Sequence, residues 1–360
     1  MSRHRKTVLQ MLFLLLLMGL TFYMILRGRD LRIIWELILS TRKRYLVLAA
    51  LSMLLYIFCG GWCLRILFRG LGQHMSIWKC FKYSFVEFYF SAITPSSTGG
   101  QPVQLVYMKK DGYSFSDSSV FVLTVTALYK TAFLLLILVF FTLNAGFMAD
   151  KIHATRFLFY LGLFLNVVLI AALCFLLFSK RLIHSLSAVA LKLLEKLHFL
   201  KNAEKKIRGL DEKLAQYNAC AHFIKSHPQV VLRTFLILLL QRLSILVVPY
   251  LVYRAFGLHG YSAIQIISIQ LLLNLCVDMI PIPGAVGISE KVFLILFGPI
   301  FGEQFLYSAV LISRGISFYL MVFLSGVMIS GVQLFDILNT KRHNKNDITP
   351  GGTTRHDRIL

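Results

Sequence analysis

The sequence predicts an all-α polytopic integral membrane protein, with about six full spans plus two broken re-entrant hairpins in an inverted repeat. Three observations predict it. Of the 360 residues, 57% are hydrophobic and 15% charged, with a mean hydropathy of +0.72; soluble domains average about 45–50% apolar and about 25% charged. Apolar runs longer than about 18 residues, enough to cross a bilayer as a helix, recur along the chain. Two further apolar segments are interrupted by polar stretches rich in Pro and Gly, "SAITPSSTGGQPVQ" at 91–104 and "DMIPIPGAVGISEK" at 278–291. The ten-residue alternation of a membrane β-barrel is absent.

The first expected span is 7–26. It follows a basic start and lacks the short core and small-residue cleavage site of a signal peptide, so it reads as retained. The other full spans are expected at 45–68, 117–143, 156–179, 229–256 and 304–333. The interrupted segments cover 77–108 and 261–300. In the polar insert 180–228, Leu182, Leu186, Val189, Leu193, Leu197 and Leu200 recur at three- and four-residue steps. So do Ile207, Leu210, Leu214, Tyr217, Ala221 and Ile224. Two amphipathic helices follow, lying on the inner leaflet or on the cytoplasmic face of the protein. Residues 1–335 then form one transmembrane domain, and 336–360 a disordered basic tail.

With the N-terminus inside and each hairpin returning to its own side, 23 of the 38 Lys and Arg lie inside, 10 outside and five within spans. This bias puts both termini in the cytoplasm, although Arg27, Arg29, Arg32, Arg42, Lys43 and Arg44 oppose it. The units 45–143 and 229–333 then have opposite orientations, each a span, a hairpin and a span. Inverted repeats with broken central helices are a recurring transporter plan. The two breaks share a short echo, Pro95-x-x-x-Gly99 and Pro283-x-x-x-Gly287.

The net charge of +22 is scattered between spans. It fits attraction to anionic inner-leaflet lipids rather than to nucleic acid. The six cysteines lie mostly in apolar runs without companion histidines and read as packing residues. No phosphate-binding Gly-x-x-x-x-Gly-Lys-Ser/Thr loop, Gly-x-Ser-x-Gly elbow or HExxH motif occurs, so neither a cofactor nor a metal is expected.

Candidate chemistry gathers at the breaks. Unpaired backbone at membrane depth survives only where protein or water surrounds it. Pro95 ends one helix near Thr94, Gly99-Gly100 relaxes the chain, and Pro102 suits the first turn of the next helix, near Gln101. The hydroxyls of Ser96, Ser97 and Thr98, with the new helix N-terminus, suit an anion such as a lipid phosphate. Equally, they suit a tight turn whose hydroxyls only cap helix ends. Gly287, Ser289 and Glu290 open the helix after the second break, which ordinary capping also explains. Asp278, Lys130, Glu87 and Arg314 are ionisable groups within apolar segments, and such groups face the protein interior. Arg65 and Arg233 lie near span ends, where snorkelling suffices; Arg242 is deeper and ambiguous.

The stretches "AITPSSTGGQPVQLVYMKKDG", "PIPGAVGISEKVF" and "SRGISFYLMVFLSG" together resemble the membrane domain of the lysylphosphatidylglycerol synthase/flippase family, from the first span to about residue 335. The resemblance implies movement of lysyl-phosphatidylglycerol or a related phospholipid from the inner to the outer leaflet of a bacterial plasma membrane, which confers resistance to cationic peptides. Full-length members add a cytosolic domain that transfers lysine from lysyl-tRNA; only about 25 tail residues follow the last span here. Many relatives carry a Glu where this chain has Gln101, which leaves a lysyl-lipid cargo in doubt. The expectation is a lipid translocator with a polar cavity. Ser96, Ser97, Thr98, Gly99 and Gly100 would hold a phosphate, with Gln101 and Gly287 beside them. Lys130, Asp278, Glu290 and Arg314 would set the charge. The alternatives are a phosphatidylglycerol lysyltransferase, or a membrane partner of a separate synthase. A homo-oligomer also remains open.

Overall fold

The computed structural model describes Gly19 and residues 30–179, 210–278 and 280–332. Apart from Gly19, the expected first span at 7–26 lies outside these residues, as do the amphipathic stretch 182–200 and the tail. The described residues are helical throughout, with no strand. Among them, five helices are long and apolar enough to cross a membrane: Lys43–Gly70, Phe115–Leu143, Thr155–Leu177, Pro228–Ala255 and the kinked run Pro283–Val332. The first four match the spans expected at 45–68, 117–143, 156–179 and 229–256, whereas the fifth joins the second arm of the interrupted segment 261–300 to the span expected at 304–333.

In chain order the elements are α1 (Leu31–Leu39), α2 (Lys43–Gly70), α3 (Ile77–Ala92), a 3₁₀ turn at Pro95–Ser97, α4 (Gly100–Lys110), α5 (Phe115–Leu143), α6 (Ala145–Phe178), α7 (Leu210–Ser226), α8 (Pro228–Leu246), α9 (Val248–Ala255), α10 (Ala263–Val277), a second 3₁₀ turn at Pro283–Ala285, and α11 (Ile288–Arg314). A π-helical segment, Gly315–Leu320, carries α11 onward to residue 332. The short α1 is a finding that the sequence reading left as basic loop. Asp30 caps it by accepting the Arg32 amide (2.9 Å).

The inverted repeat is explicit in the order of elements. α2 has 28 residues, and so does the α8–α9 run. Each is followed by a shorter helix (α3, α10), a 3₁₀ turn that begins with Pro, and a new helix. Positive φ angles at Gly112 (+90°) and Gly302 (+66°) then lead each chain into its second long span. α2 runs antiparallel to α8–α9. The Arg42 amide donates to the Ala255 carbonyl (2.9 Å), Gln241 Nε2 donates to the Tyr56 carbonyl (3.1 Å), and Gly70 lies against Val230. The pairing crosses midway along both helices, as an internal two-fold axis requires.

Small residues set the closest approaches, as is usual in membrane helix packing. A Cβ on Gly61 would collide with the Cys80 carbonyl, and one on Gly162 with the Leu275 carbonyl. At one end of the bundle α7 packs on α5 and α6 through Tyr217, Cys220, Ala221 and Ile224. Its apolar face therefore docks on the protein. Asp117, in the first turn of α5, accepts from Gln73 (3.1 Å) and from Gln216 (3.3 Å). Loop 71–76, the start of α5 and helix α7 thus share one side of the molecule. Burial, with the Asp117 carboxylate nearby, pushes the Cys220 thiol up to about 12, which keeps it protonated and unreactive.

Candidate functional site: a polar cavity between the two breaks

The two 3₁₀ turns meet at the centre of the molecule. Their backbones correspond residue by residue. Ser96 and Ser97 have φ of 49° and 54°; Gly284 and Ala285 have 59° and 50°. Consecutive left-handed residues are unfavourable for side chains other than glycine, and such strain persists only where the surrounding fold over-determines it. Pro95 and Pro283 precede these pairs and stop the incoming helices.

Between the turns lies a cavity of about 480 Å³. Polar side chains from four helices line it, and on α3 and α10 they recur at helical spacing. Ser84, Glu87 and Ser91 come from α3, and Gln270, Asn274 and Asp278 from α10 and its end. Thr126, Tyr129 and Lys130 come from α5, and Gln241 and Arg242 from α8. Ser313, Arg314 and Ser317 close the far side.

Ion pairs organise the charge. Lys130 binds Asp278, joining α5 to the second break across 148 residues of sequence. Arg314 Nε donates to Glu290 Oε1 (2.8 Å), and its Nη2 donates to the Gly284 carbonyl (2.9 Å). Glu290 is 2% exposed and also accepts from the Gly287 amide (2.6 Å) and the Ser289 hydroxyl (2.9 Å). One carboxylate therefore caps the new helix, fixes the turn and neutralises Arg314. Glu87 accepts from Ser91 (3.1 Å) and has no basic partner among the described residues.

The sequence-predicted residues divide by position. Ser96, Ser97, Thr98, Gln101, Lys130, Asp278 and Arg314 line the cavity. Gly99, Gly100, Gly287 and Glu290 do not; they build its walls. A Cβ on Gly100 would overlap the Ser91 hydroxyl and the Glu87 carbonyl, and one on Gly99 would overlap Thr94. These glycines let α4 pack directly on α3. The Thr94 hydroxyl accepts the Gly99 amide (2.9 Å) just ahead of α4, and Thr98 Oγ1 donates to the Pro95 carbonyl (2.9 Å). Part of the hydroxyl run is thus consumed by bonds within the turn. Gln101 donates to Thr126 (2.7 Å), and so ties α4 to α5.

The sequence reading passed over Tyr56, Gln104, Tyr129, Gln241, Gln270 and Asn274, which all line the cavity. The signal for the last two was the step Gln270, Asn274, Asp278 on one face of an otherwise apolar helix. Among the described residues no group of three His, Cys, Asp or Glu side chains converges on a metal-binding arrangement. The cavity can hold a polar or charged group away from hydrocarbon.

The family model described as lysylphosphatidylglycerol synthase TM region matches residues 8–325. The chain belongs to this family. A UPF0104 membrane protein of Archaeoglobus fulgidus is 24% identical to the chain over 310 residues, 82% of this chain and 89% of the relative. A UPF0104 membrane protein of Pyrococcus horikoshii is 24% identical over 330 residues, 88% of this chain and 96% of the relative. The family match spans the described part of both inverted units up to residue 325, and so takes in both breaks and the cavity between them.

Proposed function

We propose that the protein translocates a phospholipid across the plasma membrane of a bacterium, holding the headgroup in the central cavity while the acyl tails stay in the bilayer. What supports this is a charged cavity of about 480 Å³ where two broken helices meet, in a bundle that exposes many large apolar side chains. An ion or small solute would need the same polar lining. Membership of a family named for a lipid favours a lipid headgroup. An aminoacylated phospholipid such as lysyl-phosphatidylglycerol suits a cavity lined by both acids and bases, because its headgroup carries an anionic phosphate together with the cationic amines of the lysyl group. Gln101, neutral and tied to Thr126, leaves Glu87, which has no basic partner among the described residues, to receive an ammonium group. Movement runs from the inner to the outer leaflet, with both termini cytoplasmic.

The test is a reconstitution. Vesicles containing the purified protein and a headgroup-labelled phosphatidylglycerol are exposed to an impermeant quencher. Wild-type protein should expose the inner-leaflet label several-fold faster than empty vesicles, and Lys130→Ala or Asp278→Ala should reduce that rate by at least tenfold. Equal rates in protein-containing and empty vesicles, for phosphatidylglycerol and its lysyl derivative alike, would refute translocation.

A further inference from the structure

Three cations line the cavity, and two of them have carboxylate partners. Arg242 is the third. It sits in the middle of α8 in the apolar run "LILLLQRLSIL" and is 5% exposed. No carboxylate lies within ion-pair distance of it among the described residues, and its Nε and Nη2 atoms are buried without a hydrogen-bond partner. Its guanidinium carbon lies 3.6 Å from the centre of the Tyr129 ring and 4.4 Å from that of Phe133. Stacking of this kind fixes the plane of the group and offsets part of its burial. It leaves Nε and Nη2, whose N–H bonds lie within the guanidinium plane, unsatisfied. Neighbouring contacts hold the arrangement in place: Tyr129 and Tyr56 hydrogen-bond through their hydroxyls (3.0 Å), and Gln241 is anchored on the Tyr56 carbonyl. A buried, oriented and unpaired guanidinium is costly to keep unless an anion completes it. Its fork of donors matches the oxygens of a phosphate.

We infer that Arg242 is the anion subsite of the cavity and binds the phosphate of the translocated group, with Lys130 and Arg314 neutralised by their own carboxylates and serving as walls. This rests on the lipid-translocation reading but is separable from it, because it concerns binding rather than movement. Phosphate could reach Arg242 as a lipid headgroup or as a free ion, and the experiment distinguishes the two.

Purified wild-type protein in neutral detergent is titrated with phosphatidylglycerol, with diacylglycerol, and with inorganic phosphate, and bound ligand is read by native mass spectrometry. Wild type should retain phosphatidylglycerol in preference to diacylglycerol. Arg242→Gln should lose at least tenfold in phosphatidylglycerol binding with diacylglycerol unchanged, and Arg242→Lys should retain part of the difference. If Arg242→Gln does not fold, Arg242→Lys and competition by phosphate on the wild type decide the matter: displacement of the lipid by millimolar phosphate supports a shared subsite. Binding of phosphate without phosphatidylglycerol would assign the subsite to the free ion and overturn the lipid assignment. Equal phosphatidylglycerol binding in wild type and Arg242→Gln, or equal loss of phosphatidylglycerol and diacylglycerol, would refute the anion subsite outright. If binding depends on Arg242 while vesicles show no transport, translocation fails and the subsite stands.

Discussion

Glu290 and Arg314 show how a single pair can serve folding and function together. Removing one partner of a buried pair leaves an uncompensated charge and costs roughly 3–5 kcal/mol. Glu290→Gln should therefore lower the melting temperature in detergent sharply, and Arg314→Ala should do the same through the stranded carboxylate. The double variant should lose less than the sum of the two. A double-mutant cycle on thermal stability measures this, with a coupling of about 1–3 kcal/mol expected; strictly additive losses would mean that the contact contributes nothing. The ionisable residues were legible in the sequence, since charges inside apolar runs are rare and point inward. Their pairing was not: Lys130 and Asp278 are 148 residues apart. Arg242 was ambiguous for the same reason, because a sequence does not display the absence of a partner.

At the scale of elements, Pro95, Pro102, Pro283 and the adjacent glycines marked both breaks to within a residue or two, since proline and glycine act through local backbone chemistry. The consecutive left-handed residues at each turn were not legible. Neither Ser96-Ser97 nor Ala285 advertises a positive φ, and tertiary contact between the turns imposes it. Helix α1 was missed because nine residues are too few to span and its Leu, Ile and Trp side chains are interspersed with charge. The packing of α7 against α5, with Asp117 bonded to both Gln73 and Gln216, fixes sidedness. Single cysteines replacing Lys110 and Lys225, in a background without the native cysteines, should react with an impermeant thiol reagent from the same side of the membrane. A cysteine at His259 should react from the other. If positive-inside bias governs, the first two are protected in intact cells and the third is labelled. Labelling of the first two from opposite sides would break the inverted arrangement.

For the whole molecule, two oppositely oriented units place their broken helices against each other, and polar side chains from four helices close around the junction. For the proposed translocation, one unit rocking against the other about a fixed site would give alternating access, with the long antiparallel contact between α2 and α8–α9 as its pivot. The inverted plan was legible from charge bias and the paired Pro-x-x-x-Gly echo. The cavity was legible only as an expectation, because it is made by helices that the sequence lists far apart. The central claim is that a phospholipid headgroup enters this cavity. The most direct measurement is coupling of a phospholipid with a thiol-reactive headgroup to single cysteines in vesicles. Ser317→Cys lines the cavity, whereas Leu135→Cys points out of the bundle from the same span that carries Lys130. The account predicts that the headgroup couples to the cysteine at 317 and not to the one at 135. Coupling at neither position, while a cysteine at the membrane surface reacts normally, would contradict it.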